Sequence, residues 1–288
     1  MISKKYVKIS YKFFGNFAKM LQKNFLDIRD DLQRANMQYT LEEYLSTALC
    51  TITWLFVVET AVLSFIFAFF VPPMFAVLSA FILSIAIAGM IFFLFYIYPA
   101  TIAKSRENMI NKVLPFAISY ISAVASGKTT PITFFKTLSQ FKEYGEVSKE
   151  AEDIVRDVEM FGMSAATAIR RKARRTPSED LKEILYGMTT MISSGGDLGL
   201  YLRGKANDLM NDQRRKIMKF SNDLSFLVEI YLTLIIAGSI FFIVLSSVMA
   251  AISGGLSIVM LQIFIVMVLL PLISIAFIVL VKSMSPTG

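Results

Sequence analysis

Residues that could do chemistry are few in this chain, and most of them carry charge rather than a nucleophile. Arg170, Arg171, Lys172, Arg174 and Arg175 put five cations into six residues. Such density sets up a strong local field. The chemistry it suits is binding, to an acidic protein face or to anionic headgroups. Docking of an acidic partner is the expectation, since the run lies far in sequence from any apolar stretch. Acidic residues collect apart from it, at Glu143, Glu146, Glu150, Glu152, Asp153, Asp157 and Glu159. That predicts a polar surface with two patches of opposite sign. Two more carboxylates, Glu59 and Glu229, sit in apolar runs. A carboxylate in a membrane is costly and marks function by default. No basic residue shares these runs, so Glu59 is expected to be protonated or bonded to a neighbouring Ser, Thr or Tyr, at a contact between helices or subunits. Glu229, near the start of its run, reaches toward the interface.

Two motifs that resemble catalytic ones fail on inspection. Gly127-Lys128-Thr129 would need a glycine five positions earlier for a phosphate-binding loop, and Ser122 stands there. Gly195-Gly196-Asp197 lacks the glycine at 194 and the second membrane aspartate of an intramembrane aspartyl site; the apolar runs hold no aspartate. Both read as helix stops followed by helix starts. The chain has no histidine, which removes the commonest general base and zinc ligand. Its one cysteine, Cys50, cannot form an internal disulfide. No enzyme, cofactor or metal site is expected. The excess of Lys and Arg over Asp and Glu, 29 against 22, fits a membrane protein with its basic residues on one side better than a nucleic-acid binder.

The elements that position these residues follow from hydropathy. Hydrophobic residues make up 55% of the 288, above the roughly 45–50% of soluble domains. The excess is concentrated in Tyr44–Phe70, Met74–Tyr98, Phe226–Ala250 and Leu256–Val281, each long enough to cross a bilayer as a helix. The first two runs are joined by Val71-Pro72-Pro73 and the last two by a short stretch around Ser253-Gly254-Gly255, both uncharged. Residues 1–43 hold eight Lys and Arg, residues 99–225 hold twenty, and Lys282 completes the 29. The positive-inside rule therefore predicts cytoplasmic termini and a cytoplasmic central segment.

The expected order is a basic amphipathic region (1–43), a transmembrane hairpin (44–98), a helical cytoplasmic domain (99–225), a second hairpin (226–281) and a short tail (282–288). In the first region Tyr6, Phe13, Phe17, Met20 and Leu21 can share a face ringed by lysines. Such a helix either lies on headgroups or packs on the rest of the protein. The central segment has room for six helices. Met109–Ser126 is the first, stopped by Gly127. Thr130-Pro131 opens the second, Gly145 and Gly162 end the second and third, and Ser164 caps a short fourth. Thr176-Pro177-Ser178-Glu179 has the form of a capping box, with Thr176 as the cap of the fifth. Gly195, Gly196 and Asp197 join the fifth to the sixth. The fold class is all-α: four transmembrane helices in two hairpins with a six-helix cytoplasmic bundle between them.

In this order the chain resembles the type II secretion system F-domain family. Its nearest likeness is to the archaeal and Tad-type platform proteins of type IV pili and archaella. The likeness rests on Ser126-Gly127 with the Thr-Pro helix that follows, and on Ser194-Gly195-Gly196-Asp197-Leu198 through Leu209, set between two pairs of spans. It implies a non-enzymatic platform that contacts a cytoplasmic hexameric secretion ATPase and passes pilin-like subunits into a filament, with membrane lipids around it. Arg170, Arg171, Lys172, Arg174 and Arg175 would then dock the ATPase. Many platform proteins carry two F domains and this chain shows one, which implies a homodimer or a heterodimer with a second F-domain protein. The alternative is a subunit of a transporter or proton-coupled channel built on Glu59.

Overall fold

The computed structural model describes residues 4–125, 130–253 and 255–284. Among them every regular element is helical. Four helical stretches are long and apolar enough to cross a membrane, Leu41–Phe67, Pro73–Ala125, Leu198–Ile252 and Leu256–Met284. The chain divides into two compact units, Met1–Ala206 and Asn207–Gly288.

In the first unit, α1 (Lys4–Leu21) and α2 (Leu26–Arg34) precede α3 (Leu41–Phe67). A reciprocal capping box starts α3: Thr40 Oγ1 accepts from the Glu43 N–H and the Glu43 carboxylate accepts from the Thr40 N–H. Helix α1 runs antiparallel along α3, with the Tyr6 hydroxyl 2.9 Å from Thr51 Oγ1 and the Tyr11 hydroxyl donating to Glu42 at 2.9 Å. It packs through Val7, Ser10 and Ala18, while Ile9, Phe13, Phe17 and Met20 face outward. The buried face is thus the small-residue one, and the aromatic stripe lies opposite to it. Ile28 and Leu32 of α2 close a core with Ala18, Leu41, Tyr44 and Leu45.

After Pro72 the chain returns as α4 (Pro73–Ala125), 53 residues or about 80 Å of continuous helix. Phe56 and Phe81 meet edge to face across the hairpin, ring centroids 5.6 Å apart. The expected boundary at residue 98 falls inside α4, and the expected start at Met109 is likewise interior. Pro99 and Pro115 sit within the helix without ending it.

Helices α5 (Pro131–Gln140), α6 (Glu146–Glu159), α7 (Ala165–Ala173) and α8 (Glu179–Ser194) pack with one another and the outer part of α4, and the start of α9 (Leu198–Ile230) meets α8 at Gly187 and Glu183 and the end of α4 at Ala125. Ile110, Leu114, Ile118, Ile154, Met188 and Leu202 are fully buried among them. Ser164 caps α7 by accepting from the Thr167 N–H. For α8 the cap is Ser178, which accepts from the Leu181 N–H at 3.1 Å, and not Thr176. Thr176 is buried instead, because Ser178 Oγ bonds Asn111 of α4 at 2.5 Å and draws the segment inward.

The second unit holds the rest of α9, a π-helical segment (Tyr231–Ala237), α10 (Gly238–Ser253), α11 (Leu256–Phe264), a second π segment (Ile265–Leu269) and α12 (Leu270–Met284). Tyr231 stacks on Phe277 at 4.6 Å and its hydroxyl meets Ser274 at 3.0 Å. Gln262 donates to Ser247 at 3.1 Å. These few polar contacts pin an otherwise apolar hairpin.

Candidate functional site

The basic run occupies the end of α7 and the turn after it. Ala168, Ile169, Lys172 and Ala173 form the buried face of this helix, so Lys172 occupies a core-facing position by helical period. Its ammonium lies 2.6 Å from Asp153 and 3.2 Å from Glu150 of α6. Arg171 pairs with Asp157 at 3.4 Å and touches the Met163 sulfur. Arg170, Arg174 and Arg175 are exposed and make no ion pair among the described residues. The five expected cations thus divide by position. Lys172 is a structural cation, Arg171 is half committed, and three arginines remain outward.

The acidic patch is corrected. Glu150, Asp153 and Asp157 recur at i, i+3 and i+7 along α6 and face the basic run rather than standing apart from it. Glu146 and Glu150 also hold Arg106 of α4, with Nε and Nη2 each 2.7 Å from a carboxylate oxygen. The third guanidinium edge donates to the Arg34 carbonyl at the end of α2, at 2.5 Å. One side chain thus ties α2, α4 and α6. Burial pushes the Glu146 carboxyl up, but hydrogen bonds from Lys149 and Arg106 and their charges outweigh it and hold the group below its ordinary range. Arg106 was not singled out in the sequence. The available signal was its register, in step with Ala103, Ile110 and Leu114 on the buried face of α4.

The turn between α8 and α9 sits at the other end of α8. Gly195 caps α8 in the left-handed region, φ 70°. The Gly196 N–H donates to the Met191 carbonyl at 2.9 Å, and Asp197 Oδ1 accepts from the Leu200 N–H at 2.9 Å. A Cβ on Gly196 would fall 2.9 Å from the Met191 sulfur, and one on Gly199 would lie 3.4 Å from the Ala125 carbonyl. Glycine is needed at 195 for chain reversal; at 196 the flexible Met191 side chain can give way, and at 199 the contact is close to an ordinary one. Gly187 of α8 permits close approach in mid-helix, where a Cβ would run into the Tyr201 ring. Gly127 lies outside the described residues.

The membrane carboxylates do not join either cluster. Glu59 is half-buried on α3 and makes no hydrogen bond or ion pair among the described residues. Glu229 is exposed near the end of α9, in the second unit. Among the described residues no group of three His, Cys, Asp or Glu could hold a metal.

Comparison with known proteins places this helical domain. The family model of type II secretion system protein F matches residues 117–246. A protein of Methanocaldococcus jannaschii with no assigned role is 30% identical over 135 residues, 47% of this chain and 23% of its own length. Flagella accessory protein J of the same organism is 27% identical over 137 residues, 47% of this chain and 24% of its own. Each match thus spans about a quarter of the relative. No solved structure matches. The match begins in the outer part of α4, takes in α5 to α9 with the Gly195–Asp197 turn, and ends in α10. The chain is a multi-pass membrane protein whose residues 117–246 match the family model of type II secretion system protein F.

Proposed function

We propose that this protein is a non-enzymatic membrane platform of a type IV pilus-like, archaellum-like or type II secretion machine, coupling a cytoplasmic secretion ATPase to the insertion of pilin-like subunits. The observation that carries this reading is the F-family match, which falls on the helical domain that α4 and α9 carry out of apolar helices. The likeness to flagella accessory protein J favours a filament assembly setting. Both termini and the domain face the cytoplasm in this reading, in keeping with the distribution of Lys and Arg. The platform works as a homodimer or with a second F-domain protein. The ATPase meets the end of the domain away from the bilayer, where Gly195, Gly196, Asp197 and Leu200 are exposed.

A transport function would rest on Glu59 alone, the single charged side chain between Thr51 and Ala103. The test is co-purification of the tagged chain from native membranes in mild detergent. Recovery of a hexameric secretion ATPase is expected, and deletion of the gene should abolish filaments or secretion. Recovery of transport subunits without an ATPase would sink the platform.

A further inference from the structure

We infer that Arg170, Arg174 and Arg175 form a site for anionic lipid headgroups at the bilayer-facing end of the helical domain. Helix α4 serves as a ruler. No charge occurs from Met74 to Ala103, and Lys104 is the first. That residue marks the edge of the bilayer on this helix. At 1.5 Å per residue, Arg106 stands about 3 Å beyond Lys104, Asn111 about 10 Å and Ala125 about 30 Å. Arg106 gives a second marker, since it bonds the Arg34 carbonyl six residues before Thr40, where α3 begins.

The basic segment is tied to the low end of this ruler at two points. Lys172 shares Glu150 with Arg106. Ser178 bonds Asn111 at 2.5 Å. Residues 172–178 are therefore held near the levels of Arg106 and Asn111. From there α8 runs to the turn whose Gly199 lies against Ala125, at the high end. Each headgroup layer is about 5–7 Å thick, and the Debye length adds about 8 Å. The three outward arginines fall within that reach of the bilayer surface. Glu179 is held by Lys182, so it and Asp180 leave a clear positive excess on this segment. Guanidinium also matches phosphate in geometry.

The experiment is native mass spectrometry of the full-length protein released from nanodiscs of phosphatidylcholine with one-third phosphatidylglycerol. Wild type should retain phosphatidylglycerol preferentially, and added salt should weaken the preference. The triple variant Arg170→Gln, Arg174→Gln, Arg175→Gln should lower apparent affinity for it by tenfold to about a hundredfold, near fivefold per cation. Helical content should not change. The control Lys136→Gln, Lys142→Gln, on α5 and just after it, should retain phosphatidylglycerol as wild type does. Equal retention by the triple variant and wild type would overturn the site, as would equal loss in the control. A triple variant that keeps its lipid but loses a co-purifying ATPase would mean that the run faces protein. The lipid measurement needs no ATPase, so failure of the platform reading leaves it standing.

Discussion

The α6–α7 pair and the α8–α9 pair are both antiparallel helices joined by a turn with a positive-φ glycine, yet they are held in different ways. Between α6 and α7 the contact is ionic: Lys172 and Arg171 against Glu150, Asp153 and Asp157, extended through Arg106 to α4 and α2. Between α8 and α9 the buried contact is steric, with Gly187 under the Tyr201 ring and Leu202 and Ala206 buried, while an ion pair between Lys205 and Glu183 at 2.6 Å lies at the surface. A buried ion network is weak evidence of net stability, but losing one partner leaves the others unpaired at high cost. Close packing is less sensitive to charge and more sensitive to volume. The α6–α7 pair is thus electrostatically responsive, and the α8–α9 turn is sterically fixed.

The largest expected effect is Arg106→Ala. It takes the shared cation from Glu146 and Glu150, leaving them only Lys149 and Lys172, and removes the donor to the Arg34 carbonyl, with Arg106 itself only 8% exposed. Loss of one partner in such a group costs about 3–5 kcal/mol, read as a large fall in the melting midpoint of the detergent-purified protein. Arg106→Lys keeps the charge but not the three-way fork, and should recover part of the loss. A silent Arg106→Ala would remove the ionic half of the comparison.

Next in size is Gly195→Val at the sterically fixed turn. The added side chain has open space around it, so the cost is that of a left-handed β-branched residue, about 1–3 kcal/mol. Gly195→Asn should cost less, because asparagine tolerates this conformation. Equal stability of the Val variant and wild type would show that the turn has another way to reverse.

Much of this division was unreadable in the sequence, for a physical reason. Spans, helix stops and caps are local signals: apolar length gave the four crossings, Gly145 and Gly162 take positive φ, and Ser164 caps as its spacing suggests. Gly127 lies outside the described residues. The ionic network is non-local, joining Arg106 to residues 40 and 44 positions away. Charge runs therefore read as surface, although the register of Lys172 with Ile169 points inward. The α8 cap went to Thr176 by motif, and tertiary contact with Asn111 moved it to Ser178.

The smallest effect separates the two pairs by pH. The Glu146 carboxyl is held below its ordinary value in the folded protein, against burial, by Lys149 and Arg106. A lowered folded value means that its contribution is present above the unfolded pKa, about 4.3, and is lost as pH falls through the folded one. Acid should therefore loosen α6 before α8 and α9. Hydrogen exchange between pH 6 and pH 3.5, corrected for intrinsic rates, should show α6 amides losing protection first. Simultaneous loss in all four helices would merge the two regions into one cooperative unit.

Helix α4 has a mechanical consequence. It is a lever whose arm beyond Lys104 is about 30 Å long, so a tilt of about 10° displaces its tip near Ala125 by about 5 Å. Pro99 and Pro115 each delete a backbone donor. Pro99 lies five residues before the first charge, which puts one compliant point of the lever at the edge of the bilayer. The Arg106 fork grips α4 just beyond that point and couples it to the chain entering α3. Sideways load on the tip is thereby resisted at the fork and relieved by flexing at Pro99, where the helix enters the lipid.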